Sequence, residues 1–379
     1  MHLHRAASTG ALGVALALSL AACGGGGGGG GGSPMPRQAA LTDAALASDG
    51  VIAAAHTDSN LQNAWGVAFA PGGPVWIADN NSNKATVYDG TGAPQQLVVD
   101  IPAGTNGPAN PTGQVFNGTS DFAITTGAGS APAEFIFSGE GGTITGWAQG
   151  ISGATATIAY DDGAGAAVYK GLALANNGTA NRLYATDLHN AKVDVFDARF
   201  QKLSMPGAFT DPMIPAGFAP FGIREIGNQL YVTYAKQDAT AHDEVLGAGL
   251  GYVNVFDANG QLLKRFASAG VLNAPWGIAM APSGFGSVAG QLLIGNFGDG
   301  TINGFDPASG ASLGAITLAS GKKLAVPGLW DLAFGNGAPN QPAGALFYTA
   351  GPNNQTDGVF GRIDSVTSST PPPCTGYGC

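Results

Sequence analysis

Pro275-Trp276-Gly277-Ile278-Ala279-Met280 opens a unit that this chain repeats six times. The other openings are Asn63-Ala64-Trp65-Gly66-Val67-Ala68-Phe69, Pro111-Thr112-Gly113-Gln114-Val115-Phe116, Tyr169-Lys170-Gly171-Leu172-Ala173-Leu174, Pro220-Phe221-Gly222-Ile223 and Leu329-Trp330-Asp331-Leu332-Ala333-Phe334. Each starts an apolar run. A second run usually follows, as in Val75-Trp76-Ile77-Ala78-Asp79 or Leu292-Leu293-Ile294-Gly295-Asn296, and a third ends in an aromatic residue and Asp, as in Val87-Tyr88-Asp89 or Gly304-Phe305-Asp306. Successive openings lie about 47 to 58 residues apart, slightly long for one propeller blade of four strands.

Composition supports short strands and tight turns. The chain has 62 Gly, 44% hydrophobic and only 11% charged residues, which excludes general disorder. Asp89-Gly90, Asn177-Gly178, Asn259-Gly260 and Asp299-Gly300 are hairpin-turn signals. The net charge of −10 and the scatter of Lys and Arg leave no basic stripe, so nucleic acid is not an expected partner.

The expected architecture is all-β, a six-bladed β-propeller over residues 46–366. The opening segment forms the inner strand of each blade, and its Gly lets backbones approach near the axis. The last repeat runs out after Val359-Phe360-Gly361-Arg362-Ile363-Asp364. An N-terminal strand around Ala47 to Ala55, with Gly50-Val51-Ile52, supplies the missing outer strand and removes a free edge.

The pattern Pro-x-Gly-Ile/Val-Ala, apolar-x-Ala-Asp, then aromatic-Asp resembles NHL-type propeller repeats. The whole chain also resembles an uncharacterised family of secreted bacterial propeller proteins. The broader resemblance takes in gluconolactonase-like hydrolases, streptogramin lyases, peptide-amidating lyases and binding scaffolds, so it indicates fold more than activity.

The ends of the chain point to export. Arg5 and the apolar run Ala11 to Leu20 read as a signal peptide over residues 1–22, too short to span a bilayer. Leu20-Ala21-Ala22-Cys23 resembles a bacterial lipobox, which implies lipidation of Cys23 and a membrane anchor. Gly24 after that Cys implies outer-membrane sorting in a Gram-negative host. Residues 23–45 form a Gly-rich tether. In the tail, residues 367–379, Cys374 and Cys379 are expected to close a disulfide in an oxidising compartment, a pair of free thiols being the alternative.

Alignment of the openings gives one residue per blade before the anchor Gly: Trp65, Thr112, Lys170, Phe221, Trp276 and Trp330, with Asp331 replacing the Gly in the sixth. At a channel mouth these would form an apolar ring suited to stacking against a small molecule, a glycan or a side chain of an envelope protein. Packed between blades, they would be core. Asp79, Asp187, His189 and Asn296 follow second strands. The lactonase-like resemblance implies that such residues converge on a divalent cation such as calcium, whereas Asp and Asn there also cap turns. The expected function is that of a monomeric, lipid-anchored binding or scaffold propeller, with a metal-dependent hydrolase or lyase as the alternative.

Overall fold

A computed structural model describes residues 39–367. Cys23, the expected signal peptide, most of the expected tether and the Cys374–Cys379 pair lie outside the described residues.

Six sheets carry the repeats, four of four strands and two of five, antiparallel except where His56–Thr57 pairs parallel with the N-terminal strand. The innermost strands are Ala64–Phe69, Pro111–Phe116, Tyr169–Asn176, Phe218–Ile226, Pro275–Met280 and Leu329–Phe334, in blades 1 to 6. Each contacts the next, and the sixth contacts the first, so they close a ring around one axis. Blade 2 carries an inserted hairpin, Ala123–Thr126 with Gly129–Pro132. Blade 4 carries an insertion whose short strand Glu244–Val245 extends the second strand, Gln229–Gln237.

Closure follows the expected mechanism with an earlier strand. Ala39–Ser48 pairs antiparallel with Val359–Thr367 and completes blade 6, reaching upstream of position 46. Gly50-Val51-Ile52 lies beyond it in a bend, with Val51 exposed. The strand reads Ala-Ala-Leu-Thr-Asp-Ala-Ala-Leu-Ala-Ser. It buries Leu41, Leu46 and Ala47 but lacks the β-branched run that marks a strand in sequence.

The anchor glycines work by proximity. A Cβ on Gly66 would lie 2.6 Å from the Thr112 carbonyl oxygen, one on Gly113 2.5 Å from the Leu172 nitrogen, and one on Gly277 2.5 Å from the Trp330 carbonyl oxygen. Each obstacle is backbone of the following blade's inner strand, which cannot yield cheaply. The pairing register also shifts across the anchor, between Ala64 and Val67, Tyr169 and Leu172, Pro220 and Ile223, Pro275 and Ile278, and Leu329 and Leu332. These are β-bulges. Second-strand hydroxyls hold some of them. The Gly171 N–H donates to Thr186 Oγ1 (2.7 Å), which donates to the Phe221 carbonyl of the next blade (2.6 Å). The Gly222 N–H donates to Thr233 Oγ1 (2.8 Å), and the Asp331 N–H to Thr349 Oγ1 (3.1 Å).

Candidate functional site

The axis has an entry end, where the inner strands begin, and an exit end, where they finish. At the entry end the anchor residues meet one another. Trp65 stacks on Trp330 with ring centroids 3.6 Å apart, Trp276 sits edge-on to both at 5.9 and 6.1 Å, and Phe221 reaches Trp330 at 6.0 Å. Blades 1, 4, 5 and 6 contribute these rings, so they cross the axis. Leu188 and Phe297 complete the cluster, Phe297 stacking on Trp330 at 4.0 Å. No member is more than 8% exposed. The open stacking ring is therefore corrected: these aromatics are a plug, and mutual burial outweighs exposure of so much apolar surface. Thr112 is buried too, but its hydroxyl donates to the Tyr169 carbonyl at 2.8 Å, fastening blade 2 to blade 3.

Lys170 breaks the aromatic series. Its ammonium lies 5.2 Å from the Trp65 ring centroid, a cation–π contact. It pairs with Glu140 and lies 3.3 Å from Asp243 Oδ1, although Lys170 is only 1% exposed. A polar path runs on from Glu140. Asn80 donates to Glu140 Oε2 (3.0 Å), Asn63 donates to Asn80 Oδ1 (3.2 Å), and the Trp330 indole N–H donates to Asn63 Oδ1 (2.9 Å). At the other end of the path His242 Nδ1 meets Asp243 Oδ1 at 3.0 Å. The network links five of the six blades.

Electrostatics follow from this geometry. Burial disfavours the Lys170 charge, but Glu140, Glu244 and Asp243 outweigh it and its pKa is raised. Burial pushes the Glu244 carboxyl up to about 7 against the pull of Lys170. The hydrogen bond between His242 and Asp243 raises the imidazole and holds the Asp243 carboxyl at about 2.

The expected metal ligands do not converge. Asp79 accepts from Thr86 Oγ1 at 2.7 Å in its own blade. Asp187 accepts from the Val168 N–H and from the backbone and side chain of Asn190. Asn296 donates to the Val271 carbonyl (2.7 Å) and accepts from the Asn273 N–H (3.1 Å). His189, partly buried, contributes its carbonyl to Gln237. Each is tied into turns of its own neighbourhood, as Asp and Asn at strand ends commonly are. They do not fit one calcium ion, which needs six to eight oxygens around it. Glu140, His242 and Asp243 are the group among the described residues whose ligand atoms come within 4.8 Å of one another. The ammonium of Lys170 already answers their carboxylates.

Strand parity explains the miss. Asp79, Asp187 and Asn296 are the last residues of second strands, and the next residue points the other way. Those next residues are Asn80, Leu188 and Phe297, with Glu140 equivalent in blade 2. All four reach the axis in the contacts described above. Aligning one position further along the sequence identifies them.

The exit end is open. A cavity of about 430 Å³ is lined by all six inner strands, including Val67, Leu172, Ile278 and Leu332, with Phe69, Phe116 and Phe334 partly exposed at the rim. Two residues after the anchor Gly the series reads Ala68, Val115, Ala173, Arg224, Ala279 and Ala333. The small residues leave the space, and Arg224 alone crosses it. Arg224 pairs with Asp331, the residue that replaces the sixth anchor Gly, and donates to the Leu332 carbonyl at 3.2 Å. Asp331 also accepts from the Val67 N–H (3.0 Å), sealing blade 6 to blade 1. Two departures from the repeat thus answer each other across the channel.

No family model matches the chain. Uncharacterized protein R648 of Acanthamoeba polyphaga mimivirus is 33% identical over 325 residues, 84% of this chain and 78% of that protein. Uncharacterized protein L690 of the same virus is 33% identical over 329 residues, 84% of each chain. Among solved structures, a Bacteroides thetaiotaomicron protein of unknown function aligns with a TM-score of 0.53 at 11% identity, covering 86% of this chain and 76% of that one. A virginiamycin B lyase of Staphylococcus aureus aligns at a TM-score of 0.49 and 13% identity, covering 79% and 80%. The relatives found by sequence are viral proteins, which corrects the resemblance to a secreted bacterial family. The chain belongs to the family of the mimivirus proteins R648 and L690.

Proposed function

We propose that this propeller is a monomeric binding module that takes a small molecule into its central channel through the exit end, and that its N-terminal lipobox-like segment exports it and anchors it to a membrane at Cys23. One observation carries the binding reading: the cavity of about 430 Å³, its mostly apolar side chains interrupted by Gln114, Arg224 and Glu225, bounded below by the buried plug. That volume lies in the range of ligand sites, and an apolar wall with a few polar groups is their usual chemistry. The hydrolase or lyase alternative loses its carried-over ligand set, because Asp79, Asp187 and Asn296 serve separate turns.

Titration with the neutral fluorophore N-phenyl-1-naphthylamine tests the reading. Ala333→Phe places a ring in the channel without touching the plug. Fluorescence enhancement is expected in the native protein and lost in the variant. Equal enhancement in both would remove the channel as the site. For the anchor, Cys23→Ala is expected to release the protein from the membrane fraction of an expressing cell, and unchanged partition would overturn lipidation.

A further inference from the structure

We infer that the channel selects an elongated apolar molecule bearing a neutral head that both donates and accepts a hydrogen bond, a carboxamide or a hydroxyl. The inference rests on the channel reading above. Between the open cavity and the plug, the axis narrows to a space of about 10 Å³ bounded by Gln114, Arg224, Trp276 and Asp331 together with apolar neighbours. Gln114 is 4% exposed. Its Nε2 is committed to the Gly66 carbonyl (2.6 Å) and the Trp76 carbonyl (2.5 Å), while its Oε1 has no partner among the described residues. Trp276 is 6% exposed and its indole N–H is likewise unpartnered. Two residues that border the same narrow floor therefore carry a buried unpartnered acceptor and a buried unpartnered donor. Each raises the free energy until a partner reaches it.

The complement is a head that donates to Gln114 and accepts from Trp276. A hydrocarbon end supplies neither bond, an ester supplies no donor, and a carboxylate supplies no donor and adds charge. Charge matters here because Arg224 and Asp331 already cancel each other. A carboxylate would be buried beside a neutral pair, with its solvation lost and no spare cation to answer it. The walls above, including Val67, Ile278 and Leu332, call for an apolar body.

Displacement of bound N-phenyl-1-naphthylamine by octanamide, octanol, octanoate and methyl octanoate tests this, with the chain length held constant. Octanamide and octanol are expected to bind about tenfold more tightly than the other two. Trp276→Phe keeps an aromatic ring in the plug, smaller than the indole, and removes the N–H. It is expected to shrink the octanamide advantage severalfold and leave methyl octanoate weak. Near-ultraviolet circular dichroism confirms that the plug still packs. Equal displacement by all four, with the probe still lost in Ala333→Phe, would overturn the head-group inference and leave the channel reading standing. Probe binding that ignores Ala333→Phe would remove both. An octanamide advantage that survives both Trp276→Phe and Gln114→Met would show that the floor does not read the head.

Discussion

At the entry end of the axis, Trp65, Trp276 and Trp330 lie within about 6 Å of one another and exclude solvent. At the exit end, the same six strands leave about 430 Å³ open. The backbone scaffold is common to both ends. Side-chain volume at two aligned positions makes the difference: indole or phenyl rings in four blades before the anchor, alanine in four blades after it. A propeller repeat therefore does not choose which mouth is open. Packing at close to crystal density turns a ring of large residues into a plug and a ring of small ones into a channel. Each end also carries one charged residue that breaks its series, Lys170 at the entry and Arg224 at the exit. Each is answered by a carboxylate from another blade.

The largest expected effect breaks the closed end. Lys170→Met leaves Glu140 without its buried counter-ion, and stability is expected to fall by about 3–5 kcal/mol. Urea unfolding measures it. A loss under 1 kcal/mol would mean that Glu140 is already solvated and that the entry end is looser than described. Asp331→Gly restores the repeat and is expected to cost about 2 kcal/mol, because the Val67 N–H and Arg224 lose a charged acceptor. No loss would show that the seam between blades 6 and 1 closes as the glycine-anchored seams do.

A smaller, local effect is expected with pH. Glu244 and His242 both have raised folded-state values, so protonation of each favours the folded loop. Their contribution is present at low pH and is lost as pH rises, through about 7 for Glu244 and above the usual imidazole range for His242. The facing Lys170 and Asp243 stay ionised across that window. Amide exchange over residues 238–245, corrected for intrinsic rates, is expected to accelerate from about pH 5 to 8. Glu244→Gln should flatten the profile. An unchanged profile would assign the dependence to His242 alone.

Much of this was legible in the sequence. The anchors, the turn signals and the ring closure depend on short-range pattern, which a repeat displays six times. The anchor ring is legible in the sequence, but residue type does not separate a mouth from a plug. The residues that reach the axis lie one position beyond the expected metal set, at Asn80 rather than Asp79 and Phe297 rather than Asn296, and Leu188 and Phe297 offer no metal ligand. Arg224 was visible as the one charge in a column of Ala and Val, but only at a position two beyond the anchor. Its pairing with Asp331, like that of Lys170 with Glu140, crosses blades and depends on the closed ring. No local pattern encodes it. The closing strand Ala39–Ser48 begins earlier than the sequence suggests, because an Ala-rich segment gives little β signal.

Acrylamide quenching of intrinsic fluorescence tests the plug most directly. All five tryptophans, Trp65, Trp76, Trp147, Trp276 and Trp330, are at most 6% exposed. The expected result is a uniformly weak quench that Trp276→Phe leaves unchanged in form. A strongly quenched fraction that disappears in Trp276→Phe would place that ring in solvent at an open entry mouth, and would contradict the closed end on which the channel assignment depends.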